Sequence, residues 1–410
     1  MTEEELLQVI EQAAAEGWTE LDLSGNKLTV LPPEIGKLTR LKKLVLGKYE
    51  YDEDGRIIRI VGNKLKELPK EIGLLIQLEE LQIAINKLKN LPEEIGQLTN
   101  LQILNINQNQ LSNLPAEIGK LINLQSLILF NNKLSSLPKE IFQLSNLKSL
   151  HLNFNELNNL PAEIVQLTNL QSLNLSHNRL TNLPAEIVQL TNLQSLELNS
   201  NKLSNLPAEL GQLTNLQSLY LNSNKLSNLP VELVQLTNLQ SLELRANQLG
   251  SLTAEIVQLT KLQSLDLREN NLSRLPTEIG QLTNLQSLYI GGNQLSNLPT
   301  EICKITNLQS LDLSENQLSN LPAEIVQFTN LQFFNLSRNE LTSLPEEIGK
   351  LTKLKKLDLR GNPVPIPPEI LGDKKWYEQT GDVSEILDFY FQVQDPSETE
   401  PLYEAKLLII

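Results

Sequence analysis

The chain is poor in cysteine. Cys303 is the only one in 410 residues, which excludes an internal disulfide and zinc clusters built from paired CxxC ligands. A basic surplus is absent as well. The formal charge of -15 would repel phosphate backbones and anionic lipid, so nucleic acid and membrane surfaces are poor partners. No stretch approaches the roughly 18 apolar residues of a spanning helix. The opening "MTEEELLQVIEQAAAEGW" is acidic where a secretory signal needs positive charge, and it lacks an unbroken apolar segment. Asn174-Leu175-Ser176 matches a glycosylation pattern that has meaning only in secreted chains. A reducing, cytosolic setting is therefore expected. Aromatics are scarce at 4% while leucine and asparagine recur throughout, and the length exceeds one compact domain. Both features point to repeats.

Catalytic signatures are missing too. No G-x-x-x-x-G-K-[ST], G-x-G-x-x-G, G-x-S-x-G or H-E-x-x-H occurs between residues 1 and 410. The chain is expected not to be an enzyme and to hold neither cofactor nor metal. His151 and His177 are the only histidines; a two-histidine metal site is conceivable, solvated surface histidines being the commoner reading. Cys303, in "EICKITNL", takes a core position filled by Gly or Val in other repeats and reads as a small buried hydrophobe.

What is present is a period. "LQSLNLSHNRLTNLPAEIVQLTN" is followed by "LQSLELNSNKLSNLPAELGQLTN", and the interval from Asn178 to Asn201 is 23. Asn63, Asn86, Asn109, Asn132, Asn155, Asn178, Asn201, Asn224, Asn247, Asn270, Asn293, Asn316, Asn339 and Asn362 keep that step, with Asn26 one irregular repeat earlier. The pattern L-x-x-L-x-L-x-x-N-x-L resembles the leucine-rich repeat family over nearly the whole chain. The resemblance implies an α/β solenoid, a horseshoe with a concave parallel sheet and about 15 repeats of 23 residues.

Spacing gives the unit its physics. In "LQSLNL", Leu173 and Leu175 alternate with Ser172, Asn174 and Ser176, so one strand face is apolar and the other polar. The asparagine at the strand end can bond backbone groups that would otherwise be buried unpaired, and its repetition predicts a ladder. "LPAEIVQL" returns Ile187 and Leu190 to the core, with Pro184 near the start of a short helical turn.

A solenoid needs caps. Thr2 with Glu5 predicts a capping box for a helix with Leu6, Ile10, Ala13 and Ala14 on one face, ended by Gly17, so residues 1–17 form the N-terminal cap. Repeats occupy 18–362. The step from Asn26 to Asn63 leaves an insertion at 47–62, where strand-like runs flank Asp54-Gly55 and predict a hairpin. A calcium loop beginning at Glu50, Asp52 and Asp54 would need Asp first and Glu twelfth, but the chain has Glu50 and Val61 there. Residues 363–394 form a C-terminal cap rich in aromatics, among them Trp376, Tyr377 and Phe389. It includes a helix started by Asp382 and Glu385 with Ile386, Tyr390 and Val393 on one face. Residues 395–410 read as an acidic linker and an apolar strand, Tyr403–Ile410.

Repeat proteins act by binding, and the strand positions are where this sequence stops repeating. Ile85, Ile103, Ile128, Phe130, His151 and Phe154 form an apolar patch where most repeats place Ser or Asn. Tyr220, Glu243, Arg245, Asp266, Arg268 and Tyr289 form a second patch of aromatics and alternating charge. Both are candidate partner contacts; the alternative is a solvated face whose salt bridges satisfy one another.

"YEAKLLII" is similar to the opening strand of the Roc domain of Roco GTPases, which place leucine-rich repeats directly upstream. The "LPxEIxxLTNLQ" repeats and "GNP" at Gly361–Pro363 resemble that family also. The resemblance implies a GTPase parent with GTP/GDP and magnesium bound only downstream, and dimerisation that makes a homodimer one expected arrangement. It also implies a regulatory repeat module touching protein partners or the parent's own GTPase core. A free-standing scaffold or bacterial effector would show the same surface.

Overall fold

The structure, a computed structural model, describes residues 1–52, 56–372 and 380–394. The Asp54-Gly55 turn, Trp376, Tyr377, the acidic linker and the Tyr403–Ile410 strand lie outside these residues. The chain divides into two compact units, Met1–Leu242 and Glu243–Ile410.

The first unit opens with a helix, α1 (Glu3–Glu16). Thr2 Oγ1 accepts from the Glu5 N–H at 3.2 Å, the Glu5 carboxylate accepts from the Thr2 N–H at 2.6 Å, and Gly17 ends the helix in the left-handed region. Leu6, Ile10 and Ala13 are buried, with Ala14 half-buried at the margin. Parallel strands follow in register from Glu20–Asp22 to Ser218–Tyr220, each offset from the next by one repeat. Between strands the chain returns through a five-residue 3-10 turn such as Ala116–Lys120, with Pro115 preceding it and Ile118 fully buried. Proline suits that place because its missing N–H has no partner to lose there.

Two aliphatic residues from each strand segment and an isoleucine or leucine from each turn fill the interior; Leu127, Leu129 and Ile141 are all 0% exposed. Asn132 joins its own repeat to the one before. Its Nδ2 donates to Ile106 O at 3.1 Å and Leu129 O at 3.0 Å, and its Oδ1 accepts from Leu111 N at 3.0 Å. Residues from Asn86 to Asn201 repeat these contacts. Just before each of these asparagines sits a residue with positive φ, for example Asn131, Phe154 and His177 at 54–55°. A second ladder runs on the surface: Asn100, Asn123 and Asn146 donate to Ile76 O, Thr99 O and Ile122 O at 2.8–2.9 Å.

The insertion is a hairpin. Strand Lys43–Tyr51 begins in the parallel sheet and continues out of it to pair antiparallel with Ile57–Val61, Tyr49 opposite Ile60 and Glu50 opposite Arg59. Gly47 marks the point of departure, where a Cβ would lie 1.8 Å from Ala84 O.

The second unit carries the same repeats, with parallel strands from Ser264–Asp266 to Lys356–Asp358. Its ladder includes Asn293, Asn316 and Asn339. The final repeat is covered by α2 (Pro368–Leu371) and α3 (Val383–Gln394). Asp382 Oδ1 accepts from the N–H groups of Ser384 and Glu385. Ile386 and Tyr390 are 0% exposed, and the Tyr390 hydroxyl accepts from Leu344 N at 2.7 Å and donates to Leu344 O at 3.2 Å.

Candidate protein-binding surface

Strand register sorts the outward side chains into columns, since residues 23 apart are direct neighbours across the parallel sheet. In the first unit one column runs Asn105, Ile128, His151, Asn174. Ile103 lies in a different column, beside Ser126. Phe130 follows Ile128 on the same face, since the intervening Leu129 is buried.

Exposure decides what a partner would meet. Ile103 is 37% and Phe154 49% exposed, whereas Ile85, Ile128, Phe130 and His151 are half-buried. Phe154 stacks flat on His177, ring centroids 3.9 Å apart and planes 10° off parallel. Tyr49, from the hairpin, packs tilted against Phe130 at 6.1 Å. The Oδ1 atoms of Asn107 and Asn153, one repeat before and after Phe130, are buried without a hydrogen-bond partner among the described residues. Burial pushes the His151 imidazole below its ordinary value of 6.5. This half-buried ring is not a solvated surface histidine. His177 is exposed, but it is committed to a ring stack rather than free in water. Among the described residues no three His, Cys, Asp or Glu side chains gather as a metal site.

The charged patch divides between the units, with Tyr220 in the first and the other five residues in the second. Within the second unit, Arg268 Nη2 is 2.5 Å from Asp266 Oδ2, and its guanidinium lies 4.9 Å over the Tyr289 ring. The Asp266 hydrogen bond raises the Arg268 pKa. Arg245 pairs with Glu269 at 2.5 Å. Much of this patch is therefore tied together within the chain. Cys303 is buried in the core, which pushes its thiol up to about 12.

Repeat spacing alone does not single out Tyr49, His177 as the partner of Phe154, or Glu269. The stack had a signal, for His177 follows Phe154 by one period of 23. Tyr49 had none, because the insertion breaks the register that places side chains in columns.

The fold and the repeat are matched by known proteins. The leucine-rich repeat region model covers residues 56–157, 147–248 and 290–362, and two further leucine-rich repeat models match 237–295 and 18–38. The chain belongs to the leucine-rich repeat family. A leucine-rich repeat protein of Leptospira interrogans is 44% identical with a TM-score of 0.78, over 88% of this chain and 94% of that one. The leucine-rich repeat ectodomain of the Arabidopsis thaliana receptor kinase GASSHO1/SCHENGEN3, solved with CASPARIAN STRIP INTEGRITY FACTOR 2, is 32% identical with a TM-score of 0.58. That match covers 82% of this chain and 46% of that one. YopM, a leucine-rich effector protein of Yersinia pestis, is 27% identical with a TM-score of 0.64, over 88% of each chain. No curated protein sequence gives a significant match. Leucine-rich repeats are a non-catalytic interaction fold. Among the described residues no helix is long and apolar enough to cross a membrane.

Proposed function

We propose that this leucine-rich repeat chain is a cytoplasmic interaction module that takes a partner protein on the outward face of its strands. The observation that carries the reading is the exposure of Ile103 and Phe154 beside Ile128, Phe130 and His151, on a face that most repeats fill with Ser or Asn. The Arabidopsis ectodomain bound to its factor supports a protein or peptide partner for this fold. Phe130→Ala with Phe154→Ala should keep the thermal unfolding profile and lose partners found by in-cell crosslinking. An unchanged set of crosslinked partners would overturn the assignment of this face.

A finer reading makes the module the regulatory part of a Roco GTPase, contacting regulators or the parent's GTPase core, with a homodimer formed through the parent. It is supported by the "YEAKLLII" similarity and the repeat type. A free-standing scaffold or effector is the second reading, supported by the likeness to the Yersinia effector. Sequencing the transcript separates them: a phosphate-binding glycine loop immediately after Ile410 supports the first, and a stop codon or a ligase-like domain the second.

A further inference from the structure

Three aspartates share one column of the second unit. The register Asp266, Tyr289, Asp312, Asn335, Asp358 places them at every second strand. Two of the three are neutralised in the same way, by an arginine two residues further along the chain. Arg268 binds Asp266 through its main-chain N–H at 3.0 Å, Nε at 3.0 Å and Nη2 at 2.5 Å. Arg360 binds Asp358 through the same three groups at 3.2, 2.9 and 2.5 Å. Asp312 has Ser314 in that place. Its Oδ1 accepts from Ser314 N at 3.0 Å and Ser314 Oγ at 2.6 Å, and Oδ2 has no partner among the described residues.

The arginines are replaced by smaller residues. Between Arg268 and Arg360 the corresponding residues are Gly291, Ser314 and Ser337. Gly291 matters most, since a Cβ there would sit 2.7 Å from Ser314 Oγ and 3.2 Å from Asp312 Oδ1. Asp312 opens into a groove of about 280 Å³ walled by Tyr289, Phe333, Asn335 and Lys356. Phe333 is 48% exposed and Tyr289 already carries one guanidinium on its ring. Among the described residues no ion pair joins Lys356 to Asp312, and the cation coupled to that carboxylate through space is Arg268.

We propose that Asp312 is an arginine-receiving site, completed in trans by an exposed arginine side chain of the partner protein. A carboxylate beside aromatic walls suits a planar guanidinium, which can fork onto Oδ2 and lie against a ring at once. The molecule builds that arrangement within itself at Asp266, and at Asp312 it has kept the carboxylate but put a serine where the forking arginine would be, leaving Arg268 to act on it only through space. The inference deepens the reading of the strand face as an interaction surface and rests on it, adding a second contact region whose partner chemistry is specified.

The probe is N-acetyl-arginine amide, titrated into the isotope-labelled full chain, with N-acetyl-citrulline amide as the neutral isostere. Arginine should give saturable shifts of the backbone amides at 310–314 and 333–337, at least about tenfold tighter than citrulline. Asp312→Asn should abolish the difference. Ser314→Arg should fold normally and block the probe by forming the third internal pair. Equal binding of both probes, or undiminished arginine binding in Ser314→Arg, would overturn the site. That failure would leave the Phe130 and Phe154 surface of the first unit untouched, so the two readings fail separately.

Discussion

At the scale of the residue, the two asparagine ladders differ in what surrounds them. Asn132 is buried, and removing its amide strands Leu111 N away from water, while Ile106 O and Leu129 O each lose one of two donors and keep Asn109 and Asn155. Asn132→Ala should cost about 1–3 kcal/mol, because a buried main-chain N–H is left without a partner. Asn123→Ala, which removes one exposed bond to Thr99 O, should cost about 0.5–1 kcal/mol in the same urea titration. The first ladder was legible because its asparagine interrupts a leucine pattern. The second was written as plainly in "LTNLQ", but its role depends on the position of the preceding repeat's turn, which spacing alone does not give. His151 carries a pH dependence of definite sign. Its folded pKa is depressed, so the unfolded chain takes the proton first as pH falls. The stability it contributes is present above 6.5 and lost as pH falls through the folded value, and His151→Gln should remove that part of the decline in melting temperature.

At the scale of the element, the caps were the most readable parts, because a capping box and an aspartate N-cap are local in sequence. The C-terminal helix is held by an interaction that no local pattern announces, the Tyr390 hydroxyl on both polar groups of Leu344. Tyr390→Phe keeps the ring and leaves two buried main-chain groups unpaired, at a cost of about 1–3 kcal/mol. Hydrogen exchange should then rise first at Leu344 and α3, while residues of the first unit keep wild-type protection, since repeats stabilise only their neighbours. A uniform rise along the chain would contradict this nearest-neighbour behaviour. The hairpin was legible as a hairpin but not in its consequence, the delivery of Tyr49 to Phe130. The left-handed residue before each ladder asparagine was also hidden. Most of these positions carry side chains rather than glycine, so composition gave no sign of them.

At the scale of the whole molecule, regularity made the architecture readable and divergence left the binding surface open. Periodicity identifies the column a side chain occupies. It does not say whether an arginine in that column is spent on its own neighbour, as Arg268 is on Asp266, or is missing, as at Ser314. The ladder also ties the chain to its repeat length. Each asparagine reaches groups 26 and 21 residues earlier, so its bonds depend on the interval and on no particular pair of repeats. Excision of residues 179–201 therefore joins Asn178 to Lys202 with the interval intact, and that variant should melt cooperatively; excision of 22 residues should not. A gene of this construction can gain or lose whole turns by in-frame recombination without relearning how to fold. What such an event changes is the number of repeats in the chain between the apolar patch and Asp312, a heritable quantity that varies in steps of one.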